Sequence, residues 1–299
     1  MKHLPIDRRK ALWLLGGGTL ALAGCRGTRA NTAVVGSKNF TEQFLLGELL
    51  AQQIEAHTPL RVDRRLNLGG TFVCHQALVA GQLDLYVEYT GTALTAILGA
   101  PASSDPATVY QGVRDSYRNR FGLEVGPPLG FNNTFAIVVR GDDAQQLRLR
   151  AISDLARVAP QWRAGFGYEF MERSDGYPGL AKAYGLQFGS DPRIMDLGLL
   201  YRALAERQVD VVAGNSTDGL IAALDMVVLE DDRHYFPPYQ AVTVARAETL
   251  RRHPDLQAAL DSLGGTISDD EMRRMNYAVD GQHRDPASVV REFRTAHAL

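Results

Sequence analysis

The sequence predicts an α/β protein with two similar lobes that share a crevice, and three observations support this prediction. Its 299 residues suffice for two domains of ordinary size. Strand-like and helix-like segments alternate along the chain, which favours parallel-rich sheets covered by helices on both faces. Residues 75–92 also align without a gap with residues 201–218, and each segment reads as a helix, a strand and a polar turn.

The first thirty residues predict an export signal with a lipobox, residues 1–25, that is cleaved before Cys25. A positively charged segment at residues 2–10 precedes an apolar stretch at residues 11–23 that is too short to span a bilayer. The signal ends in Leu-Ala-Gly-Cys, which resembles a bacterial lipobox and implies a lipid on Cys25 and attachment to a membrane surface. Ordinary cleavage near Ala30 is the alternative. The pair Arg8-Arg9 partly matches a twin-arginine signal, and Sec export stays open.

The first half of the mature chain alternates strands and helices. Strands are predicted at 32–36, 61–66 and 83–88, and helices at 41–57, 71–80 and 106–120. The last of these helices begins with Asp105 as its N-cap and a proline at its first helical position. The segment 83–88 alternates apolar and polar residues with the two-residue period of a strand.

The second half continues the alternation. The apolar segment "NTFAIVV" at 133–139 predicts a strand, and further strands are predicted in 162–167, 193–196, 208–214 and 225–230. The tail is predicted to be helical. Ser268 with Glu271 forms a capping box, and Asp285-Pro286 begins the last helix.

Composition narrows the class of partner. Hydrophobic residues make up 45% of the chain, charged residues 22%, and the net charge is −2. These values are typical of a soluble globular protein, and they give no basic face that would indicate a nucleic-acid partner. No apolar run after residue 30 is long enough to cross a bilayer.

The turn after the strand at 83–88 predicts one wall of a ligand cleft. Tyr89 brings an aromatic face, Thr90 and Thr92 bring hydroxyl groups, and Gly91 would let the backbone approach a ligand closely. Ligands of open α/β sheets bind beyond the carboxyl ends of the strands, where this turn is expected to lie.

Two basic residues also follow predicted strands. Lys38 lies in a Gly-Ser-Lys-Asn turn before a helix, where free backbone N–H groups favour an anion, and Arg173 follows a strand of the second half. A carboxylate held by Lys38, Thr92 and Arg173, with aromatic rings at the other end, would suit a small zwitterion. Aromatic faces attract a quaternary ammonium group by about 0.5–2 kcal/mol per ring.

Cysteine and histidine give no metal or redox signature. With Cys25 lipidated, Cys74 has no partner for an intramolecular disulfide, and it is predicted to be a small buried side chain. The seven histidines lack metal-ligand spacing, and His75 is predicted to be a surface or hydrogen-bonded histidine. We expect no metal and no cofactor.

An enzyme would need an acid/base pair, for which Asp84 with Glu88, or Glu169 with Glu172, are the candidates. Asp84 and Glu88 are four residues apart on a strand, so they share a face but are too far apart to couple directly. No nucleophile or metal cluster accompanies either pair, so we expect no catalysis. A sensor of the same fold is disfavoured by the export signal and by the lack of a DNA-binding or kinase segment.

Several motifs carry a family resemblance. The segments "SKNFTEQFLLGELLA", "LNLGGT", "YVEYTGTAL", "EFMERSDGYPGL", "STDG" and "FPPYQAV" occur in the order found in glycine betaine/choline-type osmoprotectant-binding proteins of ABC importers. The resemblance runs from about Val34 to the C-terminus. It implies a two-lobed type II periplasmic-binding-protein fold with a ligand cleft, with lobe 1 formed by residues 31–132 and 239–299 and lobe 2 by residues 133–238.

The resemblance also implies a function. The protein would be an extracytoplasmic binding protein, either periplasmic or anchored to the membrane. It would capture a quaternary ammonium osmoprotectant, with glycine betaine as the first candidate and choline or a related betaine as the next. It would deliver that ligand to an ABC permease and its ATPase, and a monomer is expected for this class. The alternative is a binding protein of the same fold for another small zwitterion, such as an amino acid or an opine.

Site residues are carried over by motif. Lys38, Thr92 and Arg173 would hold the carboxylate of a betaine, and further contacts are implied for Gln43 and Asn133. The ammonium cage would consist of Tyr89, Phe135, Asn215 and Tyr239. Phe135 lacks the hydroxyl group of the usual tyrosine, and Asn215 lacks a ring altogether. We therefore expect a modest affinity for glycine betaine or a preference for another zwitterionic osmolyte.

Overall fold

The structure is a computed structural model, and it describes residues 31–299. The predicted signal and Cys25 therefore lie outside the described residues. The strands are β1 Thr32–Gly36, β2 Arg61–Arg65, β3 Leu85–Tyr89, β4 Leu123–Asn132, β5 Phe135–Arg140, β6 Ala164–Phe166, β7 Arg193–Ile194, β8 Val211–Asn215, β9 Met226–Val228 and β10 Gln240–Arg246.

Helices cover both sheets. They are α1 Thr41–His57, α2 Thr71–Val79, α3 Thr90–Thr92, α4 Pro106–Phe121, α5 Gly141–Leu147, α6 Tyr168–Glu172, α7 Tyr177–Tyr184, α8 Leu200–Ala205, α9 Leu220–Ala223, α10 Ala247–Arg252, α11 Pro254–Asp261, α12 Asp269–Asp280 and α13 Pro286–His297. Among residues 31–299, none of these helices combines the length and the apolar character that a membrane span requires.

The strands form two sheets with matching strand orders. One sheet has the order β2-β1-β3-β10-β4 and the other has the order β7-β6-β8-β5-β9. The strands of the first sheet come from residues before 133 and after 239, and the strands of the second sheet come from the residues between. An apolar cluster packs on each face of each sheet, as expected for two layered α/β units. The prediction of two similar lobes is confirmed.

The internal sequence similarity corresponds to a structural equivalence. Strand β3 and strand β8 occupy the third position of their sheets, and the gapless alignment matches them residue for residue. The amide of Asp84 donates to the Val34 carbonyl over 2.8 Å, and its carboxylate accepts from the Val34 amide over 2.8 Å. Asp210 makes the same two contacts with Arg163, over 2.7 and 2.9 Å.

The expectation of parallel-rich sheets is only half correct. Strands β1, β2 and β3 are parallel, as are β6, β7 and β8. Strand β10 is antiparallel to both of its neighbours, and so is strand β5. The chain enters these two strands from the other sheet rather than through a crossover helix, so the geometry that enforces parallel pairing does not apply.

Strand β4 was not predicted. Its sequence contains Pro127, Pro128 and two glycines, which are depleted in strands. It lies at the edge of its sheet and pairs only with β10, with two shifts of register. Proline is tolerated there because an edge strand is hydrogen-bonded to a neighbour on one side only, so a residue without an N–H on the other side breaks no bond of the sheet.

The predicted helix starts are confirmed. The Asp105 carboxylate accepts from the Thr108 amide over 2.9 Å, and the Asp285 carboxylate accepts from the Ser288 amide over 3.0 Å. Ser268 and Glu271 form the reciprocal capping box at the start of α12.

Candidate ligand-binding site

A cavity lies between the two sheets, beyond the carboxyl ends of β3 and β8. Its volume is about 60 Å³, which suits a small molecule. Its walls are Lys38, Phe40, Tyr89, Thr92, Asn133, Phe135, Glu169, Phe170, Arg173, Leu197, Ala213, Gly214, Asn215 and Tyr239. Every ligand contact implied by the family resemblance is among them except Gln43. The binding roles of these residues stay predictions.

Aromatic rings line much of the cavity. Phe135 lies 5.9 Å from Tyr239 and 4.8 Å from Phe170, measured between ring centroids. Phe40, which precedes helix α1, stacks at 6.4 Å on Tyr89. Sequence reasoning missed the two additional rings, Phe40 and Phe170, although both lie inside the quoted family motifs.

Asn215 ends strand β8 directly opposite Phe135 in the register of the sheet. By the internal alignment, it is the counterpart of Tyr89. The two lobes therefore present equivalent positions to the cavity, one occupied by a ring and the other by an amide.

Arg173 spans the cavity from one lobe to the other. Its Nη2 donates to Thr92 Oγ1 over 3.1 Å, and its Nε and Nη2 donate to the Asp175 carboxylate over 2.9 and 2.6 Å. Arg173 Nη1 has no hydrogen bond to any group in residues 31–299, and the guanidinium carbon lies 4.9 Å from the centroid of Phe135.

Asp175 is a buried partner that sequence reasoning did not identify. It also accepts hydrogen bonds from Thr95 Oγ1 over 2.7 Å and from the Tyr239 hydroxyl over 2.6 Å. Burial acts to raise the pKa of Asp175, but the hydrogen bonds and charge of Arg173 outweigh it, so this pKa lies below its ordinary value. Asp175 and Arg173 therefore form an ionised pair, which holds the guanidinium in place.

Lys38 is already paired. Its Nζ donates to Glu88 Oε1 over 2.5 Å and to Thr71 Oγ1 over 2.8 Å, and both Lys38 and Glu88 are buried. Glu88 also accepts from the Tyr86 hydroxyl over 2.9 Å and from the Tyr89 amide over 2.8 Å. One N–H of the ammonium group remains for a ligand, and its charge is largely neutralised.

Glu42 joins the two lobes behind Tyr89. It accepts hydrogen bonds from Tyr89 over 2.6 Å, Asn133 over 2.8 Å, Thr217 over 2.5 Å and Asn276 over 3.1 Å. Burial raises the pKa of Glu42, and the four hydrogen bonds only partly oppose that rise. Thr217 follows β8, so this cluster ties the second sheet to helix α1.

Gln43 supports the site without lining it. Its Nε2 donates to the Tyr89 hydroxyl and to the Val87 carbonyl, both over 3.1 Å. Its Oε1 accepts from the Lys38 amide over 3.3 Å. The structure thus places Gln43 behind Tyr89 and Lys38 rather than against the cavity.

The turn after strand β3 packs against the chain around Tyr239. A Cβ atom on Gly91 would lie 2.7 Å from the Tyr239 ring and 2.8 Å from the Pro238 carbonyl. Thr90 Oγ1 donates to that carbonyl and accepts from the Gln240 amide, each over 3.1 Å. The prediction that Gly91 lets the backbone approach a ligand is wrong, because the close approach is to Tyr239.

Cys74 and His75 lie behind the site on helix α2. Cys74 is buried, as predicted, and burial raises the pKa of its thiol to about 12. His75 was predicted to be exposed or hydrogen-bonded, and this is wrong: it is buried against Tyr117 and Phe121, and its Nδ1 has no partner. Within the part of the chain that the structure describes, no group of His, Cys, Asp and Glu is arranged to hold a metal ion.

Two α/β lobes with matching topology, closed over a small cavity with aromatic and basic walls, define a periplasmic-binding-protein fold. Residues 31–296 match the family described as the substrate-binding domain of ABC-type glycine betaine transport systems, and the chain belongs to this family.

Relatives and solved structures agree with this assignment. The chain is 38% identical over 277 residues to a carnitine transport binding protein of Listeria monocytogenes, covering 91% of this chain and 89% of the relative. It is 35% identical over 281 residues to a glycine-betaine-binding protein of Pseudomonas aeruginosa, with the same coverage of 91% and 89%. A crystal structure described as that of a glycine betaine/carnitine/choline ABC transporter superposes with a TM-score of 0.73 at 36% identity, covering 89% of this chain and 98% of that one.

Proposed function

We propose that this substrate-binding protein captures a small quaternary ammonium osmoprotectant outside the cytoplasm and delivers it to an ABC permease driven by an ATPase. Glycine betaine is the first candidate ligand, and choline or a related betaine is the next. The observation that carries the proposal is a cavity lined both by three aromatic rings, Tyr89, Phe135 and Tyr239, and by the donors of Arg173 and Thr92. The Listeria and Pseudomonas relatives, named for carnitine and glycine betaine, support this ligand class.

The cavity offers groups for both parts of a betaine. The three rings attract a trimethylammonium group by about 0.5–2 kcal/mol each. Among the residues that the structure describes, Arg173 Nη1, the Thr92 hydroxyl hydrogen and one Lys38 N–H have no hydrogen-bond partner and can bind a carboxylate. Asp175 and Glu88 keep the two basic groups in place, so binding needs little reorganisation.

The lobes, the anchor and the oligomeric state belong to the same proposal. Lobe 1 comprises residues 31–132 and 239–299, lobe 2 comprises residues 133–238, and the ligand is held where they meet. Lipidation of Cys25 would attach the protein to the membrane surface beside its permease. A monomer suffices, because both halves of the cavity come from one chain.

A non-catalytic role fits the proposed acid/base candidates. Asp84 is engaged with the Val34 amide and the Thr249 hydroxyl, and Glu88 is engaged with Lys38. Glu169 accepts from the Thr71 amide. These carboxylates have structural partners that account for their positions.

The runner-up is a binding protein for another small zwitterion, such as an amino acid or an opine. The observation that favours it is the pair of amides, Asn133 and Asn215, on the cavity wall. Amide oxygens accept hydrogen bonds from a primary ammonium group, whereas a quaternary nitrogen has no hydrogen to donate.

Isothermal titration calorimetry distinguishes the two. The soluble part of the mature protein, residues 26–299, would be titrated with glycine betaine, choline, carnitine and proline betaine, with glycine and glutamine as controls that lack a quaternary nitrogen. Binding of quaternary compounds alone, even at tens of micromolar, supports the proposal. Heat only from glycine or glutamine contradicts it and favours the runner-up.

A further inference from the structure

Helix α2 has no N-terminal cap of its own. It begins at Thr71, its N-cap residue Gly70 has no side chain, and its first turn contains no acidic residue. The first backbone N–H groups of a helix have no acceptor inside the helix, and its N-terminus favours negative charge. Any protein acceptor for this end of α2 therefore comes from elsewhere in the chain.

That acceptor is Glu169, which lies on the opposite side of the cleft. Glu169 is in the first turn of α6, after strand β6 of the second sheet, whereas α2 leads into strand β3 of the first sheet. Its Oε1 accepts a hydrogen bond from the Thr71 amide, and its Oε2 accepts one from Thr71 Oγ1 over 3.4 Å. Among residues 31–299, both hydrogen bonds of the Glu169 carboxylate are thus with Thr71. A side chain of one lobe caps a helix of the other.

Gly70 leaves the space for this carboxylate. A Cβ atom on Gly70 would lie 2.6 Å from the carboxylate carbon of Glu169, which is closer than two such atoms can approach. The backbone of Gly70 has φ −81° and ψ −171°, an extended conformation that residues with side chains also adopt. Glycine is therefore required here for the space that Glu169 occupies and not for its backbone conformation.

The cap adjoins the ligand cavity. Thr71 is buried, and its Oγ1 also accepts a hydrogen bond from Lys38 Nζ over 2.8 Å. Both Lys38 and Glu169 belong to the cavity wall. Because the carboxylate of Glu169 is engaged with Thr71, its partner is the other lobe and not the ligand.

We propose that Glu169 is a positioning residue that stabilises the closed form of the protein by capping helix α2 from the opposite lobe. When the lobes separate, Glu169 moves away with α6 and the Thr71 amide loses its acceptor. The cap therefore exists in the closed form alone, and it helps to retain any ligand that is held between the lobes. This inference rests on the proposed function only in that a ligand binds in the cavity.

Helix capping sets the size of the effect. Loss of a capping side chain shifts an equilibrium by about two- to thirtyfold. Since this cap exists only in the closed form, its loss disfavours closure, and the apparent affinity of every ligand falls by the same factor.

The test measures ligand affinities by isothermal titration calorimetry for wild type, Glu169→Ala and Glu172→Ala. Glu169→Ala should weaken glycine betaine and choline at least about threefold, by factors that agree within about twofold. Glu172→Ala is the matched control, because Glu172 is an exposed carboxylate of the same helix α6. It should change neither affinity by more than about twofold.

A cap supplied by lobe 1 itself separates the bridging role from a merely structural one. Gly70→Ser combined with Glu169→Ala provides a capping hydroxyl group on α2, in the space that the shortened side chain leaves. The double variant should unfold at a higher urea concentration than Glu169→Ala, because α2 is then capped in the open and the closed form alike. Its ligand affinities should stay as low as those of Glu169→Ala, since the new cap does not join the lobes.

Three outcomes overturn the inference. Recovery of both affinities in the double variant does so, because α2 would then need a cap but not a bridge. A loss confined to one ligand does so as well, because Glu169 would then act on the ligand itself. The third is an effect of Glu169→Ala no larger than that of Glu172→Ala. Should Glu169→Ala fail to fold, the double variant is compared with wild type, and an unchanged affinity overturns the inference.

Failure of the proposed function is a separate result. If wild type binds glycine or glutamine instead of the quaternary compounds, the proposed function is wrong, and the same variants titrated with that amino acid decide the inference. If wild type binds none of these compounds, both the proposed function and the inference are overturned.

Discussion

Replacing Asp175 by asparagine tests how the site holds its cation. The carboxylate is buried and accepts two hydrogen bonds from Arg173, one from Thr95 and one from Tyr239. Asparagine has nearly the same shape, but it has no charge, and its NH₂ group would face donors. Arg173 would then be a buried cation without a counter-ion.

The magnitude follows from the burial of the pair. Removing one partner of a buried ion pair costs about 3–5 kcal/mol, because the remaining charge is left uncompensated. Asparagine retains one acceptor oxygen for Arg173, so we expect Asp175→Asn to lower the free energy of unfolding by about 3 kcal/mol at pH 7. Urea unfolding measures this difference as a shift in the midpoint concentration, provided that the dependence of the unfolding free energy on urea is the same in both proteins.

The pH dependence provides a second readout. Because the pKa of Asp175 in the folded protein lies below its ordinary value, its stabilising contribution is present above about pH 4 and is lost as the pH falls through the folded pKa. The difference between wild type and variant should therefore shrink as the pH falls from 5 to 3. Asp142→Asn is the matched control, since Asp142 pairs with Arg207 at the surface and its loss should change stability little. A loss below about 1 kcal/mol for Asp175→Asn at pH 7, or a difference that does not change with pH, would refute the argument.

Three further predictions concern ligand binding and pH. Arg173→Ala should weaken glycine betaine at least tenfold more than choline, since choline has no carboxylate; equal losses in calorimetry would remove Arg173 from the carboxylate end. Asn215→Tyr should tighten glycine betaine about five- to tenfold by adding a ring worth about 1 kcal/mol, and an unchanged affinity would count against placing Asn215 in the cage. Asp218 lies near the Tyr201 hydroxyl and the carboxylates of Glu42 and Asp280, and burial raises its pKa to about 7. Between about pH 4 and pH 7 this carboxyl group ionises in the unfolded protein but not in the folded protein, so stability falls as the pH rises. Asp218→Asn should therefore gain more than about 1 kcal/mol relative to wild type between pH 5 and pH 8 in urea unfolding, and a constant difference would contradict this assignment.

Local signals were sufficient for much of the fold. Helix α1 has the predicted bounds, Thr41–His57, and the caps at Asp105, Ser268 and Asp285 are present. These features depend on residues a few positions apart, where periodicity and capping chemistry are informative. Strand β4 was missed because its prolines oppose a strand locally, and only its place at a sheet edge allows them.

Residues of the candidate site were predictable to a different degree. The predicted residues that line the cavity came mainly from the family motifs, since the residues alone gave only Tyr89, Thr92, Lys38 and Arg173 as candidates. Their partners were not predicted. Glu42 meets a residue 175 positions away, and Lys38 meets one 50 positions away. No local pattern records such contacts, because they exist only once both sheets have formed.

These unpredicted partners link ligand binding to lobe closure. Arg173 bonds Thr92 across the cleft, and its partner Asp175 bonds Thr95 on the same side as Thr92. Behind the rings, Glu42 holds both Tyr89 of the cavity wall and Thr217 of the opposite lobe. The groups that would touch a ligand are thus hydrogen-bonded to the groups that hold the lobes together. A ligand that contacts these groups stabilises the closed form of the protein. The size of that stabilisation equals the difference between the ligand's binding free energies to the closed and the open form. A variant that breaks a cross-cleft bond without touching the cavity should therefore weaken every ligand by the same factor, whereas a cavity variant should change their order.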